Sequence, residues 1–270
     1  NGTATITATS GSATATAAVS VAQAAGSVTL SPTTVSFASF ADTATITPTV
    51  RDAGGTVIAG ATVTWSSSSA SIATVSAAGL VTAIGNGTAT ITATSGAASA
   101  TAAVTVARTA ASIVLSDTVL TFPSLGDTTQ LTVTVKDAND STMVSPTVSW
   151  TTSDTTVATV SDAGLVTSVA DGTATVTATS GSVSDTASVT VAQVAASIVL
   201  SDTTLTFSTL GDTTQLTVTV KDANDSTMVG ATVTWATSDT TVATVSDAGL
   251  VTAISPGTAN ITATHQSLSA

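Results

Sequence analysis

The feature that most constrains this chain is the even spacing of its three tryptophans. Trp65, Trp150 and Trp235 lie 85 residues apart, each in a pattern like Thr-Val-Thr-Trp-Ser-Ser at residues 62–67. A fixed period of this length indicates tandem copies of one folded unit. Within each copy Val and Trp are two positions apart, so on a strand they point to one face and Thr or Ser to the other. We predict that this segment is the central core strand of a small β-sandwich.

The same period divides the chain into one partial and three larger units. Residues 1–21 match residues 86–106, which predicts that the chain begins with the last hairpin of a preceding repeat. The predicted domains are 1–22 (partial), 23–107, 108–192 and 193–270, the last lacking its final strand, the equivalent of 101–106. We expect an excerpt of a longer array. The alternative is that the N-terminal strand of one copy completes the last unit of the next, as a head-to-tail filament.

The composition favours strands and sets the expected fold class. Hydrophobic residues make up 43% of the chain, chiefly Ala and Val, while Thr and Ser fill most other positions and aromatic residues reach only 3%. β-Branched residues pack well on a pleated sheet. About seven short alternating segments per unit, separated by turns, predict all-β, tandem Ig-like Greek-key sandwiches with an 85-residue repeat.

Three segments carry more specific predictions. Alternation at 3–9 and 14–21 predicts two half-buried strands joined by a turn at 10–12. Residues 42–50 read as one strand with Ile46, Pro48 and Val50 on one face. Since proline cannot donate to a ladder, Pro48 predicts either a sheet edge or a bulge.

The charge balance excludes several classes of partner. All 16 acidic residues are Asp, against four Lys and Arg, which gives a net charge of −12. Nucleic-acid binding needs a basic cluster, and docking on anionic lipid needs one too. The segment also has no long apolar span for direct membrane insertion. The absence of Cys excludes thiolate metal sites and a Cys nucleophile.

Few residues could carry chemistry. His265 is the single histidine, so no His-based site can recur in each repeat, and we expect it to be solvent-exposed or partly packed. The Asp-Ala-Asn-Asp-Ser turns at 137–141 and 222–226 either serve as turns, which the residue types favour, or bind Ca²⁺ through carboxylate and amide oxygens. A second route to Ca²⁺ places Asp117 or Asp202 against a neighbouring unit's loop. We assign no catalytic, cofactor-binding or metal residues.

The linkers between units predict a stiff array. Segments 21–24, 106–109 and 191–194 contain no Gly or Pro and run almost directly from one unit's last strand to the next unit's first. Such linkers restrict free rotation. With strands of about eight residues at roughly 3.4 Å per residue, plus loops, each unit should be about 40 Å long and three units about 120 Å.

Four motifs together resemble a known family. They are Val-Thr-Trp-Ser-Ser at 63–67, Ile-Ala-Thr-Val-Ser at 72–76, Gly-Leu-Val-Thr-Ala at 79–83 and Gly-Thr-Ala-Thr-Ile-Thr-Ala-Thr at 87–94. In combination they resemble the bacterial Ig-like domain group 2, and the later copies match equally well. Such domains occur in tandem in adhesins of the intimin and invasin type and in phage structural proteins. The resemblance implies Ig-like sandwiches outside the cytoplasm, with no catalytic residues to carry over.

The leading functional prediction is therefore a non-catalytic spacer or stalk on the extracellular bacterial surface. Its partners would be neighbouring repeats of the same chain and copies of itself in a fibre. Two alternatives stay open: a virion fibre or capsid-decoration component, and a module that binds a glycan or receptor. The second predicts aromatic or Arg residues in exposed loops, and the sequence shows none there.

Overall fold

The computed structural model describes residues 1–270 and consists of strands and turns, with no helix. This confirms the all-β prediction. A search for helices long and apolar enough to cross a bilayer finds none.

The strands group by repeat. The N-terminal hairpin consists of β1 (Gly2–Ser10) and β2 (Ala13–Val21). The first repeat has nine strands: β3 (Ser27–Ser31), β4 (Thr34–Phe37), β5 (Thr43–Thr45), β6 (Thr47–Arg51), β7 (Thr64–Ser67), β8 (Ala73–Val75), β9 (Leu80–Ala83), β10 (Gly87–Ser95) and β11 (Ala98–Val106). The second repeat has the same nine: β12 (Ser112–Leu115), β13 (Val119–Phe122), β14 (Thr128–Gln130), β15 (Val133–Lys136), β16 (Ser149–Thr152), β17 (Ala158–Val160), β18 (Leu165–Ser168), β19 (Gly172–Ser180) and β20 (Val183–Val191). The third repeat has eight: β21 (Ser197–Leu200), β22 (Thr213–Gln215), β23 (Val218–Lys221), β24 (Thr234–Thr237), β25 (Ala243–Val245), β26 (Leu250–Ala253), β27 (Ile261–His265) and β28 (Leu268–Ser269).

Each complete repeat places a four-stranded sheet opposite shorter sheets. In the first repeat the orders are β4-β11-β10-β7, β5-β9-β8 and β3-β6. The β4–β11 pair is parallel, and the other pairs are antiparallel. The second repeat reproduces the two larger sheets as β13-β20-β19-β16 and β14-β18-β17, whereas the third has only β24-β27-β28 in place of the four-stranded sheet.

The core of the first repeat follows from period-two alternation. β11 buries Ala102, Val104 and Val106, each at most 2% exposed, and turns the residues between them outward. Ile46 and Ile91 are fully buried between the sheets. The core therefore consists of small and branched aliphatic side chains, as the composition predicts, and it has few aromatic members.

The prediction of a central tryptophan strand is wrong. β7 pairs with β10 alone and forms the edge of its sheet, and Trp65 is half-buried. The alternation is correct, since Trp65 packs against the core cluster. At this rim of the sheet the ring lies against the turn at Gly79, where an added Cβ would be 2.9 Å from its Cζ2 atom. A large flat side chain suits this rim, because only one of its faces needs a packed partner.

The N-terminal hairpin also differs from its prediction. β1 and β2 pair over nine residues, from Gly2 with Val21 to Ser10 with Ala13. Every residue of both strands is exposed, so the strands are not half-buried. Alternation predicts the strands correctly, but it cannot show whether a second sheet covers their apolar face.

The segment 42–50 forms two strands where one is predicted. β5 pairs with β9, β6 pairs with β3, and the chain changes sheets at Ile46, whose N–H donates to Gly79 O at 2.9 Å. Pro48 lies opposite Leu30 in the β3–β6 pair, and the other side of β6 carries no ladder at that point. Of the two alternatives for Pro48, the sheet edge is therefore the correct one.

The contacts of the chain fall into two compact units. One comprises Asn1–Ser112 with Val135–Pro146, and the other comprises Ile113–Thr134 with Thr147–Ala270. The first unit thus includes the first repeat and the Asp137 turn of the second. The second unit likewise includes the loop at 123–127 together with the third repeat.

Candidate functional site: the junction between repeats

A buried aspartate joins the first repeat to the turn of the second. Asp137 is 2% exposed. Its Oδ2 accepts the main-chain N–H of Phe40, in the first repeat, at 3.2 Å, while its Oδ1 accepts the N–H groups of Asn139 at 3.1 Å and Ser141 at 3.0 Å. One carboxylate therefore shapes its own turn and holds a loop of the preceding repeat.

The linker residue Arg108 reaches into the same site. Its Nε donates to Asp137 Oδ2 at 2.7 Å, in an ion pair whose side chains are 4% and 0% exposed. The guanidinium also donates to the carbonyl oxygens of Ser141 and Thr142, and it stacks on the Phe40 ring at 4.1 Å from the centroid. A buried charge needs such pairing, because an isolated one would be costly.

A third contact runs from the turn back to the preceding repeat. Asn139 Nδ2 donates to Phe40 O at 2.7 Å and to Asp42 Oδ1 at 2.8 Å. Phe40 thus binds the turn through both its N–H and its C=O. Paired main-chain contacts of this kind fix position more closely than a single long side chain does.

The second junction repeats this arrangement 85 residues later. Asp222 Oδ2 accepts Leu125 N–H at 2.9 Å, and Asn224 Nδ2 donates to Leu125 O at 3.0 Å and to Asp127 Oδ1 at 2.8 Å. The linker residue here is Gln193, whose Nε2 donates to Asp222 Oδ2 at 2.8 Å. Both junctions therefore use an aspartate carboxylate as the acceptor and an asparagine amide as a donor. They differ in the linker residue, which is the charged Arg108 in the first junction and the neutral Gln193 in the second.

Both aspartates remain ionised at neutral pH despite their burial. Burial raises the pKa of Asp137, but the hydrogen bonds from Phe40, Arg108, Ser141 and Asn139 outweigh it, so that the pKa lies below its ordinary value. At Asp222 burial likewise raises the pKa, and the donors from Gln193, Leu125 and the turn lower it further than burial raises it. Hydrogen bonding to the charged form is thus sufficient even where no cation is present.

We expect the melting temperature to stay constant as the pH falls toward 3.8 and to decrease at pH values lower than 3.8. The pKa of Asp137 and Asp222 is lowered from 3.8 in the folded chain. The unfolded chain therefore takes up protons first, and stability is lost as the pH falls from 3.8 through the folded pKa. Circular dichroism melts at stepped pH measure this. The double variant D137N/D222N should melt lower at neutral pH and show a smaller further drop, and an unchanged drop would contradict the assignment.

The predicted site residues lie elsewhere or in other environments. Asp117 and Asp202 are exposed, and the carboxylates that meet at the junctions are those of residues 42, 127, 137 and 222. The proposal that Asp117 or Asp202 approaches a neighbour's loop stays a prediction. The Asp137 turn faces protein donors, and nowhere do three His or Asp side chains cluster as a metal would need. Calcium binding stays a prediction.

His265 is buried, so the expectation of an exposed or partly packed residue is wrong. It is 8% exposed, and its Nδ1 lies 2.7 Å from Thr232 O. Ser180 occupies the same position in the second repeat, and its Oγ donates to Thr147 O at 2.9 Å. The histidine therefore takes over a structural hydrogen bond that serine makes in the other copy.

The sequence does contain a signal for the junction. One acidic position of this turn is present in all three copies, as Asp52, Asp137 and Asp222. A residue with a long polar side chain that can donate a hydrogen bond lies 29 residues before each of them, at Gln23, Arg108 and Gln193. The residue types at 137–141 and 222–226 by themselves indicate a turn or a Ca²⁺ site, and the linkers are distinguished only by their lack of Gly and Pro. The donor and the aspartate form no local motif, because 29 residues separate them.

Comparison with known proteins agrees with the repeat pattern. The model of the bacterial Ig-like domain (group 2) matches residues 24–106, 110–191 and 195–269. Ice-binding protein 1 of Shewanella frigidimarina is 36% identical over 204 residues, which are 74% of this chain and 23% of that protein. The chain thus spans about a quarter of the length of this curated relative.

Solved structures of surface proteins are also similar. Surface layer protein SbsC, domains 4–9, matches at 24% identity and a TM-score of 0.32, over 84% of this chain and 41% of that one. The Escherichia coli adhesin FdeC matches at 19% identity and a TM-score of 0.34, over 92% and 95%.

The family match covers most of the chain, in three successive copies that each contain one tryptophan strand. The copies have the all-β organisation that the motifs at 63–94 imply. The chain therefore belongs to the family of bacterial Ig-like domains, group 2.

Proposed function

We propose that this chain is a spacer segment of an extracellular bacterial surface protein. Its repeats would hold a functional part at a set distance from the cell. The family is structural and non-catalytic, so the purpose of the array depends on how its repeats are joined. The observation that carries the proposal is the buried aspartate at each of the two junctions.

The junction contacts hold the turn of one repeat against a loop of the preceding repeat. Each aspartate takes a main-chain N–H from the preceding repeat, and each turn amide returns a bond to the carbonyl of that same residue. A hydrogen bond to a charged group contributes about 1.5–3 kcal/mol. Bending at the junction would break several of these bonds together and leave a buried carboxylate short of donors.

The curated relative supports a modular role. The matched stretch is 74% of this chain but 23% of Ice-binding protein 1. A segment that recurs inside a much larger protein suits a unit that positions an activity encoded elsewhere.

Small-angle scattering on the 270-residue chain tests the spacer. We expect a maximum dimension of about 120 Å, from three units of about 40 Å each. The double variant D137A/D222A should stay folded yet become more flexible, with a broader distance distribution and a shorter mean dimension. These two changes remove the acceptors of both junctions.

A matched control has the same change in charge. D117A/D202A also removes two aspartates, one from each of the same repeats, and both side chains are exposed. This control should scatter like the unmodified chain. A compact envelope for the unmodified chain, or no difference between the two double variants, would contradict the proposal.

A further inference from the structure

The two junctions share a set of main-chain contacts between the linker and the preceding repeat. In the first junction the N–H of Ala107 donates to Phe37 O at 3.0 Å. Two residues later the N–H of Thr109 donates to Ala38 O, also at 3.0 Å. The second junction makes the same two bonds 85 residues later, at 3.0 and 2.9 Å. The linker backbone therefore lies along the same loop in both, and the junctions differ in their side chains.

One pair of side chains changes together between the junctions. In the first, the Cζ atom of the linker residue Arg108 lies 4.1 Å from the centroid of the Phe40 ring. In the second, the equivalent positions hold Gln193 in the linker and Leu125 in the loop of the preceding repeat. The guanidinium thus occurs with the aromatic ring, and the neutral amide occurs with the aliphatic side chain.

The repeats that follow the two linkers do not account for this difference. Residues 196–252 repeat residues 111–167 with few changes, and the turn that each linker residue reaches is Asp-Ala-Asn-Asp-Ser in both. The linker residue therefore differs between two otherwise similar settings. What differs with it at the contact is the loop residue of the preceding repeat, Phe40 in one case and Leu125 in the other.

The charge of the linker residue explains why the loop residue changes with it. The Arg108 side chain is 4% exposed, and its Nε donates to Asp137 Oδ2 at 2.7 Å. A cation removed from water is stabilised by the face of an aromatic ring, which leucine cannot provide. Gln193 carries no charge and reaches its aspartate through Nε2 alone, at 2.8 Å, so it needs no aromatic partner.

We propose that the loop residue and the linker residue form a matched pair that determines which repeat is held firmly after which. A loop with Phe40 fits a following repeat whose linker carries arginine, and a loop with Leu125 fits one whose linker carries glutamine. A mismatched junction would lose contacts that a matched one makes, which is how a pair of surfaces discriminates between partners. The residues of each pair lie within one compact unit. The inference rests on these contacts and does not depend on the spacer function.

Amide hydrogen exchange on the full chain tests the pairing. The N–H of residue 40 donates to Asp137 Oδ2, so its protection factor measures how often the first junction opens. F40L should lower this protection by about 3- to 30-fold, because the stacking is lost. R108Q should lower it by about tenfold or more, since it also removes a charged donor. In F40L/R108Q the loss should be at least about 3-fold smaller than the product of the two single losses, because the stacking is lost only once.

The second junction provides the reciprocal test. The N–H of residue 125 donates to Asp222 Oδ2 and measures the opening of this junction. The factor by which Q193R changes its protection should be about 3-fold more favourable when residue 125 is phenylalanine, in L125F/Q193R, than when it is leucine. Each introduced side chain already occurs at the equivalent position of the other junction, so we expect the repeats to stay folded. Changes in one junction should leave the reporter amide of the other unchanged, which controls for a general loss of stability.

Trypsin provides a second measurement of the first junction. Arg108 is the only Lys or Arg in the linkers at 21–24, 106–109 and 191–194, and its buried side chain must leave the junction before cleavage. F40L should accelerate the appearance of fragment 1–108 by about 3- to 30-fold, and L125F should not. Losses that multiply in either junction, or an unchanged cleavage rate in F40L, would overturn the pairing. The spacer proposal is judged separately, by the scattering of D137A/D222A.

Discussion

Trp150→Ala is expected to lower the free energy of unfolding of the second repeat by about 3–5 kcal/mol. The ring lies close against the turn at Gly164, where an added Cβ would come within 2.7 Å of the ring Cζ2 atom. Removing the ring opens the side of the sandwich along β16. The surrounding core consists mainly of Ala and Val, whose short side chains cannot move far enough to refill the gap.

The neighbouring tryptophans make this prediction measurable. In Trp150→Ala, Trp65 and Trp235 remain as fluorescence reporters of the first and third repeats. Denaturant unfolding should show these two signals near their original midpoints, while the second repeat unfolds at a lower concentration by circular dichroism. Trp235→Ala is the matched variant, and it should shift the third repeat instead. A joint loss of all signals at one lower midpoint would show that the repeats are not independent modules.

The tryptophan strand also shows how far sequence reasoning reaches. Alternation at residues 62–67 correctly indicates a strand whose Val and Trp face the core. It cannot show that β7 ends its sheet, because strand order depends on contacts with β10, more than twenty residues away in sequence. For the same reason alternation in β1 and β2 does not reveal that both faces are exposed. Period and composition determine the fold class, and long-range pairing determines burial.

The junction was harder to predict from the sequence than the fold. The turn at residues 137–141 has the composition of a turn or of a calcium loop, and only the structure shows that the Asp137 carboxylate faces Phe40 and Arg108. The partners lie 97 and 29 residues away. One copy has Arg at the linker position and the others have Gln, so the donors do not form a recognisable motif. Arg108 and Gln193 donate to the equivalent aspartate oxygen, and only the folded structure shows this common contact.

Gly164→Ala is expected to destabilise the second repeat by about 3 kcal/mol or more, as backbone strain adds to overpacking. Gly164 has a φ of +83°, a left-handed conformation that costs an L-residue about 1–2 kcal/mol. An added Cβ would also lie 2.7 Å from both Leu131 O and Trp150 Cζ2. Leu131 O accepts a hydrogen bond from Gln130 Nε2 at 2.8 Å, and Leu131 N–H donates to Gly164 O at 2.9 Å. These bonds hold the backbone oxygen in place, so we expect the ring to shift away from the core.

Gly126→Ala separates these two effects. Gly126 lies in the same repeat with a φ of +81°, but nothing lies within 4 Å of its added Cβ, so this variant carries the strain alone. The first repeat already has Ala41 at the equivalent position, with a φ of 65°. In denaturant unfolding, Gly126→Ala should therefore cost about 1 kcal/mol, and Gly164→Ala clearly more. Equal losses would mean that the glycine is required for its backbone conformation and not for its contact with the tryptophan. A larger loss at Gly164 would instead show that the ring and the turn are packed as one element, which explains why the rim of each sandwich carries a tryptophan and a glycine together.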